Sequence, residues 1–314
     1  MTRQATVTPV RIAVIDYPEA MPSSVLGFCD LFGLAERLCR QHHYPYGFEL
    51  QRLSLQQLPA FEASGFQVVL VPPCLEGEFY RQPDPQLLRW LRRQHRQGAT
   101  LACACAGSFI VAATGLLARR PMTTHWQLAS EFADRFEDVV LNVDKILIDD
   151  GDVISAGGLM AWLDLGLALV ARFGSEALMR QLGKVLLVDT GAREQRYYQR
   201  FSPRLDHGDA AIVRVQHHMQ AQYAQGISVV ELARLSSLTE RTFLRRFVKH
   251  TGLKPLHYLQ RLRIQQACDL LESTTESVEQ IAARVGYEDA GAFRKVFIRL
   301  MGLAPREFRL RFQR

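Results

Sequence analysis

A tandem repeat fills the last third of the chain and leaves few folds open to it. Residues 228–255 read SVVELARLSSLTERTFLRRFVKHTGLKP, and residues 277–305 read SVEQIAARVGYEDAGAFRKVFIRLMGLAP. Ala233 pairs with Ala282 at an offset of 49, while Phe243, Phe247, Gly252 and Pro255 pair with Phe293, Phe297, Gly302 and Pro305 at an offset of 50. The slip is one extra residue in the second turn. Ser228 with Glu231, and Ser277 with Gln280, have the spacing of a capping box, in which two side chains satisfy free N–H groups at a helix start. Each copy therefore predicts helix, short turn, helix, with the second helix ended by Gly-x-x-Pro. Leu232/Ala233 and Ile281/Ala282 give the first helices a buried face, and the i, i+4 phenylalanine pairs do the same for the second. Asp209–Gln225 predicts a preceding helix, with Asp209 as N-cap and Gly226 just past its end. Pro255–Leu271 predicts the helix that joins the copies.

The outer face of each second helix is basic. It carries Arg241, Arg245 and Lys249 in the first copy and Arg294, Lys295 and Arg299 in the second. Leu244 is expected to be exposed beside Arg245. Arginine forks match guanine edges, an apolar side chain can meet a thymine methyl, and the same charges bind phosphate. A basic face on one helix is commonly only solvated. Two copies that share cap, turn, phenylalanine pair and basic face argue for a partner. The charge balance agrees: residues 209–314 hold 17 Lys+Arg and 10 Asp+Glu, whereas residues 1–208 hold 21 and 22. The surplus of the whole +6 chain thus lies in its last third, as expected of a neutral domain joined to one that meets phosphate.

Residues 209–311, including RLRIQQACDLL at 261–271, closely resemble the AraC/XylS-type DNA-binding domain. That resemblance implies two helix-turn-helix units, at 228–252 and 277–302, joined by a long helix and bound to double-stranded DNA. Gly291 stands where that family often places a base-reading side chain, and Glu288-Asp289 opens the second unit. The expectation is that unit two mainly anchors on phosphate and unit one carries more of the sequence reading. The DNA-binding candidates are Arg241, Leu244, Arg245, Lys249, Gly291, Arg294, Lys295 and Arg299.

The remaining two-thirds read differently. Short apolar runs at Arg11–Asp16, Val68–Val71 and Thr100–Cys105 alternate with helical spacing at Val25–Leu38, Leu87–Gln97 and Ser108–Leu117. Ile146–Ile148 and Val153–Ser155 predict a hairpin across Asp149-Asp150-Gly151. Alternation of this kind implies a mainly parallel sheet covered on both faces, with ligands at the carboxyl ends of its strands. The fold class is α/β plus all-α: a flavodoxin-like sheet followed by a tandem helix-turn-helix domain. The 48% hydrophobic content of 314 residues suits two such cores. The expected division is 1–192 for the α/β domain, 193–208 for a linker and 209–314 for the helical domain.

In TLACACAGSFIVAATGLL, Cys105 falls where a strand meets a helix, among Ala104, Ala106 and Gly107. A sharp turn that projects a nucleophile needs small neighbours, and a helix N-terminus favours thiolate. His125-Trp126 follows twenty residues on. A cysteine with a distant histidine is the minimum for an activated thiol, and equally common in a structural core. The Cys105 turn, Thr124-His125-Trp126 and ISAGGLMAWLDLGLALV at 154–170 resemble the PfpI-like, class I glutamine amidotransferase-like fold. The resemblance is to the version found in GlxA-like regulators of the AraC/XylS family. In catalytic relatives the cysteine is the nucleophile, with an early acid and a histidine; here Cys105 and His125 match, and Glu19 is the nearest early acid. In the regulator branch the resemblance implies a pocket for a small metabolite, so Cys105, Ala106, His125 and Trp126 are the ligand-binding candidates.

The leading expectation is a sequence-specific transcription regulator, an activator, that answers a small-molecule effector. It would be a homodimer through the α/β domain, with RNA polymerase as a candidate further partner, and not an enzyme. The alternative is a cysteine-dependent hydrolase or hydratase fused to a DNA-binding domain; a third reading makes the α/β domain a dimerisation platform alone. The six cysteines show no CxxC spacing and His42-His43 and His217-His218 lack companion ligands, so no metal or cofactor is expected. Residues 1–16 lack the apolar core of a signal peptide, and Val153–Ala171 reads as a strand end plus a packed helix rather than a span. The expected location is the cytoplasm, with no membrane contact.

Overall fold

The computed structural model describes residues 9–61, 65–191 and 193–313. The chain divides into two compact units, Met1–Gln195 and Arg196–Arg314. The domain ends expected at Met1, Ala192 and Arg314 lie outside the described residues, as do the first eight residues of the segment inspected for a signal peptide.

The first unit is built on strands β1 (Val10–Asp16), β2 (Phe48–Ser54), β3 (Val68–Val71), β4 (Thr100–Ala104), β5 (Pro121–Met122), β6 (Val140–Leu141), β7 (Leu147–Asp149) and β8 (Val153–Ala156). Its helices are α1 (Pro22–Gln41), α2 (Pro85–Arg96), α3 (Gly107–Ala112), α4 (Ala129–Arg135), α5 (Trp162–Phe173) and α6 (Glu176–Leu186). The main sheet runs β2-β1-β3-β4-β8-β7. All its neighbours are parallel except the β7–β8 hairpin, and the first five strands follow the flavodoxin-like order. Every residue of β3, β4 and β8 is buried, which is why their sequences are apolar runs without alternation. The predicted hairpin and strands are present. Three helices differ in extent from the sequence expectation; α2 begins two residues before the expected Leu87. α1 begins three residues early because Pro22 suits a first helical turn, and α3 ends at Ala112, five residues short of Leu117, where the chain turns through Gly115 at φ +76°.

The second unit contains α7 (Ala210–Ala221), α8 (Val229–Leu235), α9 (Glu240–Thr251), α10 (Pro255–Ser273), α11 (Val278–Arg284), α12 (Ala290–Met301) and α13 (Pro305–Phe312). Both capping boxes form, and Gly252 and Gly302 end α9 and α12 at φ +70° and +74°, a backbone region that favours glycine. α7 stops at Ala221, not at the expected Gln225. Two separate cores lie under the two repeats. Ile212, Phe243, Phe247, Tyr258 and Leu262 belong to one, and Ile264, Leu271, Ile281, Phe293 and Phe297 to the other. α10 supplies both, one from each half.

Part of the segment expected as a linker packs on this unit. Phe201 N–H donates to Gln265 (2.9 Å), the Phe201 ring meets Tyr258 edge-on, and Gln216 donates to the Arg204 carbonyl (3.0 Å). Among the described residues no helix is long and apolar enough to cross a membrane.

Candidate DNA-binding face and cysteine elbow

α9 is amphipathic in the sense that a groove-reading helix needs. Phe243 and Phe247 have no exposed surface, and Phe247 packs edge-on against Tyr258. Thr239 caps the helix by accepting the Thr242 N–H. On the opposite side Arg241, Arg245 and Lys249 are exposed. Among the described residues these three make no ion pair or side-chain hydrogen bond, so their charge is open to a partner. Leu244 is exposed beside them, as expected, and so is Val248. The intervening Arg246 points another way: it grips Asp209 with two bonds (2.7 and 2.8 Å), and His250 lies 3.3 Å from the same carboxylate. Asp209 also caps α7 through the Ile212 N–H. Arg246 first, and then the cap bond, hold this buried carboxyl below its ordinary range. The sequence identified Asp209 as a cap only; its second bond joins positions 37 apart and leaves no local signal.

α12 presents the second copy of the face in a different state. Arg294 is paired with Glu279 of α11, and Arg299 donates to Gln260 of α10 (2.8 Å). Lys295 alone of the three makes neither an ion pair nor a side-chain hydrogen bond among the described residues. The acid and amide that hold two of them sit on neighbouring helices, outside the repeat's own pattern. Asp289 is the N-cap, accepting from Gly291 N–H and Ala292 N–H (both 2.9 Å). Those bonds lower its pKa, so its charge is fixed on the first turn. Gly291 is exposed and offers no side chain.

In the first unit, Cys105 forms a tight elbow. Its φ is +52°, a strained value for a side-chain-bearing residue. The strain is held by a clamp on the Cys105 carbonyl, which accepts from Ser108 Oγ (2.7 Å) and Thr124 Oγ1 (2.9 Å), while Cys105 N–H donates to the Ala156 carbonyl (2.8 Å). Gly107 is required next to it, since a Cβ there would lie 2.5 Å from the Val71 carbonyl oxygen. Thr124, read from sequence only as part of a motif, is thus a fastener of the elbow.

The thiol itself is enclosed. Cys105 is 4% exposed and Ala106 2%. Burial pushes the thiol up to about 12; the Ala106 N–H opposes this, and the neighbouring Cys74 adds to it. Desolvation thus outweighs the thiolate-favouring start of a six-residue helix. Among the described residues no hydrogen bond joins Cys105 to His125 or Glu19. His125 instead accepts the Gln127 N–H at Nδ1 (3.1 Å), stacks on Trp126 and has its pKa lowered by burial. Glu19, at φ +70°, accepts from the Phe79 N–H (2.9 Å). Gln195 was not foreseen. It is buried, accepts from Trp126 N–H (2.8 Å) and donates to the Thr124 carbonyl (2.9 Å), tying the end of the first unit to the strip beside the elbow.

With these two sites described, similarity to known proteins becomes informative. Residues 232–311 match a helix-turn-helix domain and residues 56–172 match the DJ-1/PfpI family. The chain is a DNA-binding regulator of the AraC type with a DJ-1/PfpI-family domain in front. It is 28% identical over 73% of its length to the HTH-type transcriptional regulator CdhR of Pseudomonas aeruginosa, covering 68% of that protein. It is also 28% identical over 70% of its length to the HTH-type transcriptional regulator GlxA of Rhizobium meliloti, again covering 68%. For GbdR of P. aeruginosa the chain covers 60% of the relative. In fold, the DJ-1/PfpI domain matches a crystal structure of a transcriptional regulator protein from Vibrio parahaemolyticus, with a TM-score of 0.51 at 17% identity, over 57% of this chain and all of that one. These relatives are regulators by name, and the chain shares both their domain types.

Proposed function

We propose that this regulator reads its operator chiefly through α9 and uses α12 as a phosphate anchor. In this reading Arg241, Leu244 and Arg245 meet base edges in the major groove, while Lys249, Arg294, Lys295 and Arg299 bind backbone, and Gly291 lets the second helix approach closely. The observation that carries the proposal is the contrast between the helices: the three cations of α9 have no partner among the described residues, whereas two of those on α12 are engaged within the unit.

The DJ-1/PfpI domain is proposed to sense a small molecule near Cys105, Ala106, His125 and Trp126, to form the homodimer, and to act in the cytoplasm as the control on an activator that meets RNA polymerase. Gln195 supports this reading, because it joins the strip beside the elbow to the chain entering the second unit. A cysteine hydrolase is disfavoured: a buried thiol raised by desolvation, with no histidine or acid bonded to it among the described residues, lacks an activated nucleophile. Fluorescence anisotropy with a promoter fragment across a salt series tests the first proposal. Saturable, salt-dependent binding that loses base preference in Arg241→Ala and Arg245→Ala is expected. Equal loss on every sequence would refute the division of labour.

A further inference from the structure

We propose that Val248 and Ile298 read thymine methyl groups in the major groove, one from each recognition helix, so that α12 makes a base contact as well as anchoring on phosphate. This rests on the reading that α9 and α12 face DNA, and it concerns two positions to which that reading gives no role.

The repeat itself singles these positions out. Val248 and Ile298 correspond at the offset of 50 that also pairs Phe247 with Phe297. Arg241, Leu244, Arg245 and Val248 on α9, like Gly291, Arg294, Lys295 and Ile298 on α12, have the i, i+3, i+4, i+7 spacing of one helix face. Leu244 has no apolar counterpart, because Arg294 stands at its position. Val248 and Ile298 are the apolar pair that this face keeps in both copies.

Their packing gives no reason for them. Residues 243–250 and 293–300 repeat one order of buried, exposed and half-buried positions, in which Val248 is 39% and Ile298 46% exposed. Neither is among the described residues that form, or pack against, the two cores of the second unit. A single exposed apolar residue is ordinary, but this pair recurs at one position of a repeat. Both side chains are also β-branched and lose rotamer freedom in a helix, where Lys, Arg or Ala fits an exposed position better. The helices give up some intrinsic stability at these points and gain no core contact in return.

The neighbouring charges identify the occupant. Arg241, Arg245 and Lys249 share the face with Val248, and Lys295 and Arg299 share it with Ile298. A duplex drawn to those cations presents phosphates, sugars and base edges. The thymine methyl is the apolar group among the base edges of the major groove. An aliphatic side chain gains nothing against a phosphate, whereas against a methyl it removes apolar surface from water.

In vitro selection with the full-length protein, from a random duplex library, supplies the probe. Each thymine of the selected duplex is then replaced in turn by deoxyuridine, which keeps the pairing and removes the methyl, and affinity is read by fluorescence anisotropy. The unaltered protein is expected to bind about fourfold more weakly when a contacted methyl is removed, the worth of one buried methyl. Val248→Ala should abolish that sensitivity at one thymine position and Ile298→Ala at a different one, with the salt slope unchanged. Val248→Thr and Ile298→Val keep a branch methyl and should retain it. Melting curves exclude a misfolded variant, since alanine at an exposed helix position is expected to leave the melting temperature unchanged or slightly raised. Affinity indifferent to deoxyuridine at every thymine, or sensitivity that survives both alanine substitutions, overturns the proposal and leaves the roles of Arg241 and Arg245 standing. Sensitivity that depends on Val248 and not on Ile298 refutes the base contact assigned to α12. A selection that enriches no duplex refutes the underlying reading of the two helices, and this proposal with it.

Discussion

Cys105 shows how a single position can be legible in place and illegible in chemistry. Its small neighbours predict a strand-to-helix elbow, and φ of +52° bears that out. Protonation depends on what buries the sulfur, and sequence-distant residues contribute to that, Cys74 among them. With the thiol raised to about 12, its iodoacetamide alkylation at pH 8 is expected to be at least about tenfold slower in the native protein than in the unfolded one. Peptide mass spectrometry over time measures this, and equal rates would show an accessible thiolate. The sign for stability follows from the same shift. A cysteine whose pKa is raised on folding favours the folded state up to its unfolded pKa, about 8.5, and loses that contribution as pH climbs through the folded value. Gly107→Ala tests the elbow's packing. The added Cβ meets the backbone oxygens of Val71 and Pro72 at 2.5 and 2.6 Å, and backbone yields less readily than a side chain, so a loss of about 1–3 kcal/mol in urea unfolding is expected.

At the scale of elements, the repeat made most of the second unit readable, because each helix announces its cap, its buried pair and its stop within a dozen residues. What it could not announce is the bonding between helices. Arg294 and Arg299 look as free as Arg241 and Arg245 until Glu279 and Gln260 are seen beside them. In the first unit, β2 escaped notice for a related reason: FELQRLS lies at the sheet edge, and Arg52 interrupts its alternation to reach Asp16 (2.5 Å). The shared helix α10 leads to a prediction. Phe247 packs under its first half only, so Phe247→Ala, at about 3–5 kcal/mol for a lost buried ring, is expected to loosen hydrogen-exchange protection around α7–α9 more than around α11–α13. Uniform loss of protection would mean that α10 welds both repeats into one cooperative block. A second prediction concerns the link between α7 and α9. The Asp209 carboxyl is lowered by Arg246, so its contribution is present above the unfolded value, about 3.9, and is lost as pH falls through the folded one. Asp209→Asn should lower the melting temperature near neutrality and flatten its fall in acid. A parallel downward shift at every pH would assign the loss to packing alone.

For the whole molecule, the decisive property is that charge is divided between parts with separate cores. No residue of the large core in the first unit is shared with the two smaller cores of the second. The surplus of basic residues belongs to 209–314, and three cations without an ion pair among the described residues lie together on α9. DNA affinity should therefore depend on salt through a small set of side chains whose removal leaves the DJ-1/PfpI domain intact. Lys249→Ala is expected to weaken binding to every sequence alike and to reduce the slope of log affinity against log salt by about 1, since one phosphate contact releases roughly one counterion. Arg245→Ala should instead cost about 1–3 kcal/mol on the preferred site and much less on unrelated DNA, because a bidentate base contact has no counterpart there. Measured together on one promoter fragment and one scrambled control, the two variants separate anchoring from reading. If both altered the salt slope and neither altered preference, the open face of α9 would be an electrostatic clamp, and recognition would have to come from Leu244, Val248 or the shape of the DNA itself.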